Sequence, residues 1–317
     1  WLFLKHGRMR MLGALLAFWQ KSGLRRIAHG IGLMKLLPAS AAQMERILPE
    51  AARRGVAERI GVFHPAKGEE IARVGLFRGC VMDVLFADTN VRTVELLTEA
   101  GFAVVIPPEQ NCCGALHAHN GEGETARRLA RGNIRAFRQA GVDFIVSNAG
   151  GCGALLAEYD HLLHDDPDMK EDAAWFAERV IDVSALLAER GRLPEFAPDE
   201  RCVTYQDSCH LRNVMGSGAA PRRLIRGVPG VRFAEMKEAD RCCGSAGIYN
   251  LTQPEMANRL LERKMAHAGE TGAELLLTSN PGCLLQMRLG IERHGLSDRM
   301  KAVHIVDYLH ERMIRGK

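Results

Sequence analysis

The first 44 residues contain no aspartate or glutamate; Lys5, Arg8, Arg10, Lys21, Arg25, Arg26 and Lys35 precede the first acid, Glu45. No secretory signal is recognisable. No apolar run reaches the roughly 20 residues that a bilayer span needs, because Lys21, Arg25 and Arg26 interrupt the stretch around Met11 to Trp19. Aromatic residues are few (6%) and do not interleave with basic clusters, and a net charge of +4 is too mild to argue for a nucleic-acid partner. No Gly-x-Gly-x-x-Gly follows an expected strand, and the Gly75 to Gly79 spacing is no substitute, so no nucleotide site is expected. Paired carboxylates and a nucleophile elbow are also missing. The start at Trp1 rather than Met reads as a fragment of a longer chain.

What is present is cysteine in an unusual arrangement. Nine cysteines in 317 residues are too sparse, and of the wrong parity, for a simple disulfide framework. Two adjacent pairs each precede a glycine: Cys112-Cys113-Gly114 and Cys242-Cys243-Gly244. Between Cys80 and Cys112 lie 31 residues, and between Cys113 and Cys152 lie 38. The corresponding gaps from Cys209 to Cys242 and from Cys243 to Cys283 are 32 and 39. The four matching cysteines are offset by 129, 130, 130 and 131 positions, which points to an internal duplication.

The surrounding pattern alternates strand and helix. Apolar strands are expected at 74–77, 103–106, 144–146, 202–205, 231–233, 275–278 and near 303–306. Helices are expected at 86–100, 122–140, around 154–159, and at 254–268. The expected fold class is therefore α/β, with two pseudo-two-fold related parallel βαβ halves and an N-terminal helical segment. The expected divisions are a basic helical lead-in (1–69), a first repeat (70–165), a helical linker (166–198) and a second repeat (199–317). Within the lead-in, residues 1–44 read as two or three basic amphipathic helices ending near Pro38. They would pack on a neighbour or rest peripherally on an anionic membrane surface.

Each spaced cysteine falls just after an expected strand, where parallel sheets place their ligands. One βαβ step takes about 30 residues or more, close to the observed gaps. Cys80, Cys112, Cys113 and Cys152 are thus expected on one rim, and Cys209, Cys242, Cys243 and Cys283 on another. Four thiolates together need cations among them. Zinc accepts four sulfurs tetrahedrally; an iron–sulfur cluster accepts them also, and its size suits adjacent cysteines. Cys202 lies inside a strand and reads as a plain core residue. His117, His119 and His210 adjoin the cysteine loops and read as hydrogen-bonding residues, with direct ligation as the alternative. Arg78 and Asp207 read as solvated loop charges, with tuning of a reduction potential as the alternative.

The duplicated spacing resembles the cysteine-rich CCG domain of heterodisulfide reductase B subunits, lactate-utilisation iron–sulfur proteins, anaerobic glycerol-3-phosphate dehydrogenase C subunits and glycolate oxidase iron–sulfur subunits. Ile106–Gly114, Asn148–Gly153 and Cys242–Asn250 look most like the last of these. That resemblance implies an electron-transfer subunit of an oxidoreductase complex, with no substrate-oxidising site on this chain. It implies an iron–sulfur cluster, of the 4Fe-4S kind, on the eight motif cysteines, with zinc in one half as the alternative. It further implies FAD-containing partner subunits that oxidise glycolate to glyoxylate, a quinone as the destination of the electrons, and a cytoplasmic location. Lactate or glycerol-3-phosphate systems, a thiol/disulfide reductase and a zinc-stapled scaffold are the other readings. Two departures stand out. The ferredoxin-like Cys-x2-Cys-x2-Cys-x3-Cys-Pro runs of family members are not in this sequence, and Leu155 and Gln286 occupy the positions of the further thiolate found in heterodisulfide reductase.

Overall fold

The computed structural model describes residues 6–36 and 45–314. Among the described residues, nine strands form two sheets. They are β1 (Phe63–His64), β2 (Ala72–Phe77), β3 (Phe102–Val105), β4 (Phe144–Ser147), β5 (Val180–Asp182), β6 (Cys202–Tyr205), β7 (Arg232–Phe233), β8 (Leu275–Thr278) and β9 (Lys301–His304). The first sheet runs β1-β3-β2-β4-β5 and the second β7-β6-β8-β9. Only β1 is antiparallel to its neighbour. Removing β1 leaves the same strand order in each half, as a duplicated parallel α/β fold requires. The strands are short and almost wholly apolar because helices cover both faces. Val74, Leu76, Val104, Val146, Val203 and Leu277 are all fully buried.

Crossover helices Ala87–Glu99, Gly123–Ala140 and Gly150–Ala157 serve the first half; Ala219–Arg226, Pro254–Glu270 and Pro281–Arg293 serve the second. The two halves share one core, in which Leu76 and Val146 join Val203, Leu277, Ile305 and Tyr308. Polar ties also cross the junction. The backbone N–H groups of Gly150 and Gly151 donate to Ser279 O and Asn280 Oδ1, each at 3.0 Å. His304 Nε2 lies 2.9 Å from Asn148 O. Arg92 and Thr89 donate to Asp307 at 2.8 and 2.9 Å.

Three expectations need amendment. Residues 166–198 are not purely a helical linker: between helices Lys170–Ala177 and Val183–Arg190 they carry β5, which extends the first sheet beside β4. Its three residues continue into a helix capped by Asp182, whose Oδ1 accepts from Ser184 N at 2.8 Å, so the apolar signal is too short to read as a strand. Likewise β1, inside the expected lead-in, closes the other edge. The last apolar run, 303–306, divides at His304, whose ring accepts from Val306 N and starts helix Ile305–Arg312.

The lead-in forms helices His6–Lys21 and Leu24–Gly30 and a turn at Leu33–Leu36. Its expected end near Pro38 lies outside the described residues. Gly13 lets the first helix approach Val84, where a Cβ would come within 2.7 Å of a methyl carbon. Arg10 fixes the helix by donating to buried Asp83 at 2.9 Å.

Candidate metal centre

All eight motif cysteines line one cavity of about 270 Å³ between the halves. Each strand delivers its sulfur through a short loop into a helix. Cys80 follows β2 and caps helix Val81–Leu85; Cys209 follows β6 and opens helix Cys209–Asn213. Cys152 and Cys283 sit in the first turns of Gly150–Ala157 and Pro281–Arg293. The Cys112-Cys113 pair precedes Gly114, the cap of helix Ala115–His119. Helix N-termini present unpaired N–H groups and a positive dipole end, which favour thiolate over thiol.

Within the first quartet, Cys80 Sγ and Cys112 Sγ are 3.5 Å apart. Backbone N–H groups of Gly114 and Ala115 point at Cys112 and Cys113 sulfurs, each at 3.5 Å. The second quartet repeats this: Gly244 N lies 3.4 Å from Cys242 Sγ, and Asn280 Nδ2 lies 3.4 Å from Cys283 Sγ. The glycine of each motif is left-handed, with φ of 89° at Gly114 and 91° at Gly244. A Cβ would lie 3.2 Å from Ala126 Cα at the first and 2.5 Å from Ala257 O at the second.

Without metal, the thiols of each quartet oppose one another. Hydrogen bonds from Cys113 and Cys80 hold Cys112 toward thiolate, while contact with Cys112 pushes Cys80 and Cys113 strongly the other way. Cys242 is lowered by Cys209 and then Cys243; Cys209 is raised by Cys242, Cys243 is raised by Cys242, and Cys283 is lowered by Cys243. Neighbouring thiols in each quartet therefore share protons, and a bound cation offsets their mutual repulsion. Among the described residues, no three His, Cys, Asp or Glu side chains form a ready single-ion cage. The donor set, four mostly buried sulfurs per half with N–H groups aimed at them, fits an iron–sulfur centre.

His119 and His210 also line the cavity, where their rings stack with centroids 5.4 Å apart. His210 Nδ1 lies 3.5 Å from Cys209 Sγ. His117 is instead paired with Glu122 at 2.8 Å and does not face the cavity. Cys202 is a buried strand residue, apart from both quartets, as its position implied. Leu155 and Gln286 are buried and supply no thiolate.

Arg78 and Asp207 are not solvated loop charges; both are buried. Arg78 donates to Pro108 O at 3.0 Å, and Asp207 is held by Arg212 at 3.0 Å and Arg222 at 2.8 Å. These partners make the burial tolerable. An open groove of about 700 Å³ passes Arg212, Arg222 and Glu235, but it holds no thiol and its guanidiniums are already paired.

Sequence reading missed the residues behind the sulfurs. Asn133 donates to Cys112 O and Tyr159 Oη at 3.0 Å each, and Tyr159 Oη donates to Cys113 O at 2.7 Å. In the second half Lys264 instead bonds Glu238 O and Ala239 O, in the loop that leads to Cys242. A polar residue on the buried face of each crossover helix was the available signal.

Fold and site together define a duplicated cysteine-rich protein whose two halves present thiol quartets to one cavity. The cysteine-rich domain (CCG) family matches residues 74–157 and 203–288, and the linker region of the glycolate oxidase iron-sulfur subunit matches residues 1–48. The chain belongs to the glycolate oxidase iron–sulfur subunit family. A Bacillus subtilis protein, "Probable glycolate oxidase iron-sulfur subunit", is 47% identical over 98% of this chain and 70% of its own length. "Lactate utilization protein A" of Oceanobacillus iheyensis is 32% identical over 75% of this chain and 96% of its own. The crystal structure of a hypothetical protein from Helicobacter pylori shares the fold alone. Its TM-score is 0.53 at 9% identity, covering 89% of this chain and 55% of that one.

Proposed function

We propose that each quartet holds an iron–sulfur centre, of the 4Fe-4S kind, and that the chain relays electrons within a glycolate-oxidising complex. The donor would be an FAD-containing subunit that oxidises glycolate to glyoxylate, and the acceptor a quinone. The observation that carries this reading is the meeting of eight thiols, from two duplicated halves, at one cavity. Cys80, Cys112, Cys113 and Cys152 would hold one centre; Cys209, Cys242, Cys243 and Cys283 the other. When bound, such centres supply reversible one-electron storage. The chain's own residues gather the sulfurs, aim N–H groups at them and bury them from water. Zinc in one half is the competing occupant. The likeness to lactate utilization proteins favours lactate as a second partner substrate served by the same relay.

The test is direct transfer. A flavoprotein partner reduced with glycolate is expected to bleach the visible absorption of the reconstituted chain, while metal-free chain draws no electrons. Absence of bleaching with both glycolate and lactate contradicts the relay. Dithiol-dependent turnover would point to a thiol/disulfide reductase, and a colourless, redox-silent chain to a scaffold.

The lead-in supports peripheral contact with the cytoplasmic face of a membrane. No described helix is long and apolar enough to cross one. Leu15, Phe18, Ile27 and Ile31 are exposed, and all seven charged side chains of residues 1–44 are basic. Co-sedimentation is expected to favour anionic over neutral vesicles at least tenfold, and the preference should fall with salt, as surface electrostatics requires. Equal or absent binding to both vesicles contradicts membrane contact.

A further inference from the structure

The two halves back their thiols with different charge. Gly114 and Gly244 meet the crossover helices at Ala126 and Ala257. Seven positions further along the helix in each case stand Asn133 and Lys264, so these two residues occupy equivalent places. Asn133 is fully buried and neutral. Lys264 is only 2% exposed, and its ammonium donates to Glu238 O at 2.6 Å and Ala239 O at 3.2 Å. Among the described residues it makes no ion pair. Asp240 and Asp207 act on it only through space, and Asp207 is already held by Arg212 and Arg222. A buried ammonium with carbonyl partners alone is unfavourable unless a negative group compensates it. The second quartet lies on the same packed face: Leu261 and Met265, beside Lys264 on its helix, share one cluster with Cys243 and Cys283, and the Ala239 carbonyl that Lys264 holds stands three residues before Cys242.

We propose that Lys264 is a tuning residue for the second centre, its fixed charge offsetting the negative charge of that quartet and raising the centre's reduction potential. This rests on the reading that the quartets hold iron–sulfur centres. Reduction adds one electron, and so one negative charge, without needing a proton. A fixed cation nearby therefore favours the reduced form. The first half, with neutral Asn133 in that place, lacks this contribution, so Lys264 biases electrons toward the second half.

The test is an EPR-monitored redox titration, with dithionite as reductant, of the full reconstituted chain. Wild type is compared with Lys264→Gln and Lys264→Met. One of the two centres is expected to shift at least tenfold toward its oxidised form in both variants, about 59 mV for a one-electron couple. The other centre should stay in place. Unchanged potentials in Lys264→Gln, or a shift in Lys264→Met alone, overturn the proposal, because charge is then not the cause. If Lys264→Gln does not load the second centre, Lys264→Arg decides. Restored loading supports a charge requirement, whereas failure in both makes Lys264 a packing residue and overturns it. Wild-type chain that takes up no iron overturns instead the functional reading beneath it.

Discussion

Replacing Cys242 and Cys243 together by serine is expected to abolish the second metal centre, halve the iron content and stop electron relay. The serine hydroxyl does not ionise near neutrality and is a poor ligand for the iron of a cluster, so two of four donors are lost at once. The remaining thiols, Cys209 and Cys283, come from different loops, after β6 and after β8. Stability should fall with the metal. The intact quartet carries opposed thiols that only a cation reconciles, and thiolate metal sites contribute folding energy on the order of 10 kcal/mol in small domains. In this larger chain the shared apolar core retains part of the fold, so calorimetry should show early loss of the second half rather than global unfolding. Cys202→Ser is the control: it lies within β6, and its iron content should match wild type. Iron analysis and calorimetry of the two variants side by side check the expectation. Full iron in the double variant would remove the pair from the ligand set.

Gly244→Ala is expected to cost on the order of 3 kcal/mol or more, whereas Gly114→Ala should cost about half of that. Both glycines are left-handed, which costs any other residue about 1–2 kcal/mol. The difference lies in what the new methyl meets. At Gly244 it would lie 2.5 Å from the Ala257 carbonyl oxygen, a backbone atom of helix Pro254–Glu270 that has no rotamer to yield. At Gly114 the closest atom is Ala126 Cα at 3.2 Å, which a shift of a few tenths of an ångström relieves. The Gly244 substitution should also push Cys242 and Cys243 off their rim and lower iron retention in the second half. Urea unfolding of the two variants, read with their iron content, measures both effects. Equal costs at the two positions would contradict the packing argument.

The sequence made the duplication plain because its spacing is that of a structural unit: one strand, one crossover helix and one loop separate successive sulfurs. Strand-forming runs such as 74–77 and 275–278 were legible from their short, apolar character and the glycine or asparagine that follows them. β1 and β5, of two and three residues, were not; their pairing is imposed by the sheet edges they meet. The convergence of both quartets on one cavity was also out of reach. It depends on how the halves pack through Leu76, Val203 and Tyr308, and no local signal encodes that packing. Arg78 and Asp207 were misread for a related reason: a charge is buried or solvated according to partners many residues away. Lys264 sits on the buried face of its helix, and a lysine there is visible in the periodicity once the helix is phased.

The central claim is that two thiol quartets each grip a metal centre at one shared cavity. Anaerobic purification followed by iron, acid-labile sulfide and zinc analysis, with EPR of the reduced chain, tests it most directly. The expected result is iron and sulfide in equal amounts, two centres per chain, and spectral coupling between them. Metal-free protein with all nine cysteines titrating as free thiols, or zinc without sulfide, would contradict it.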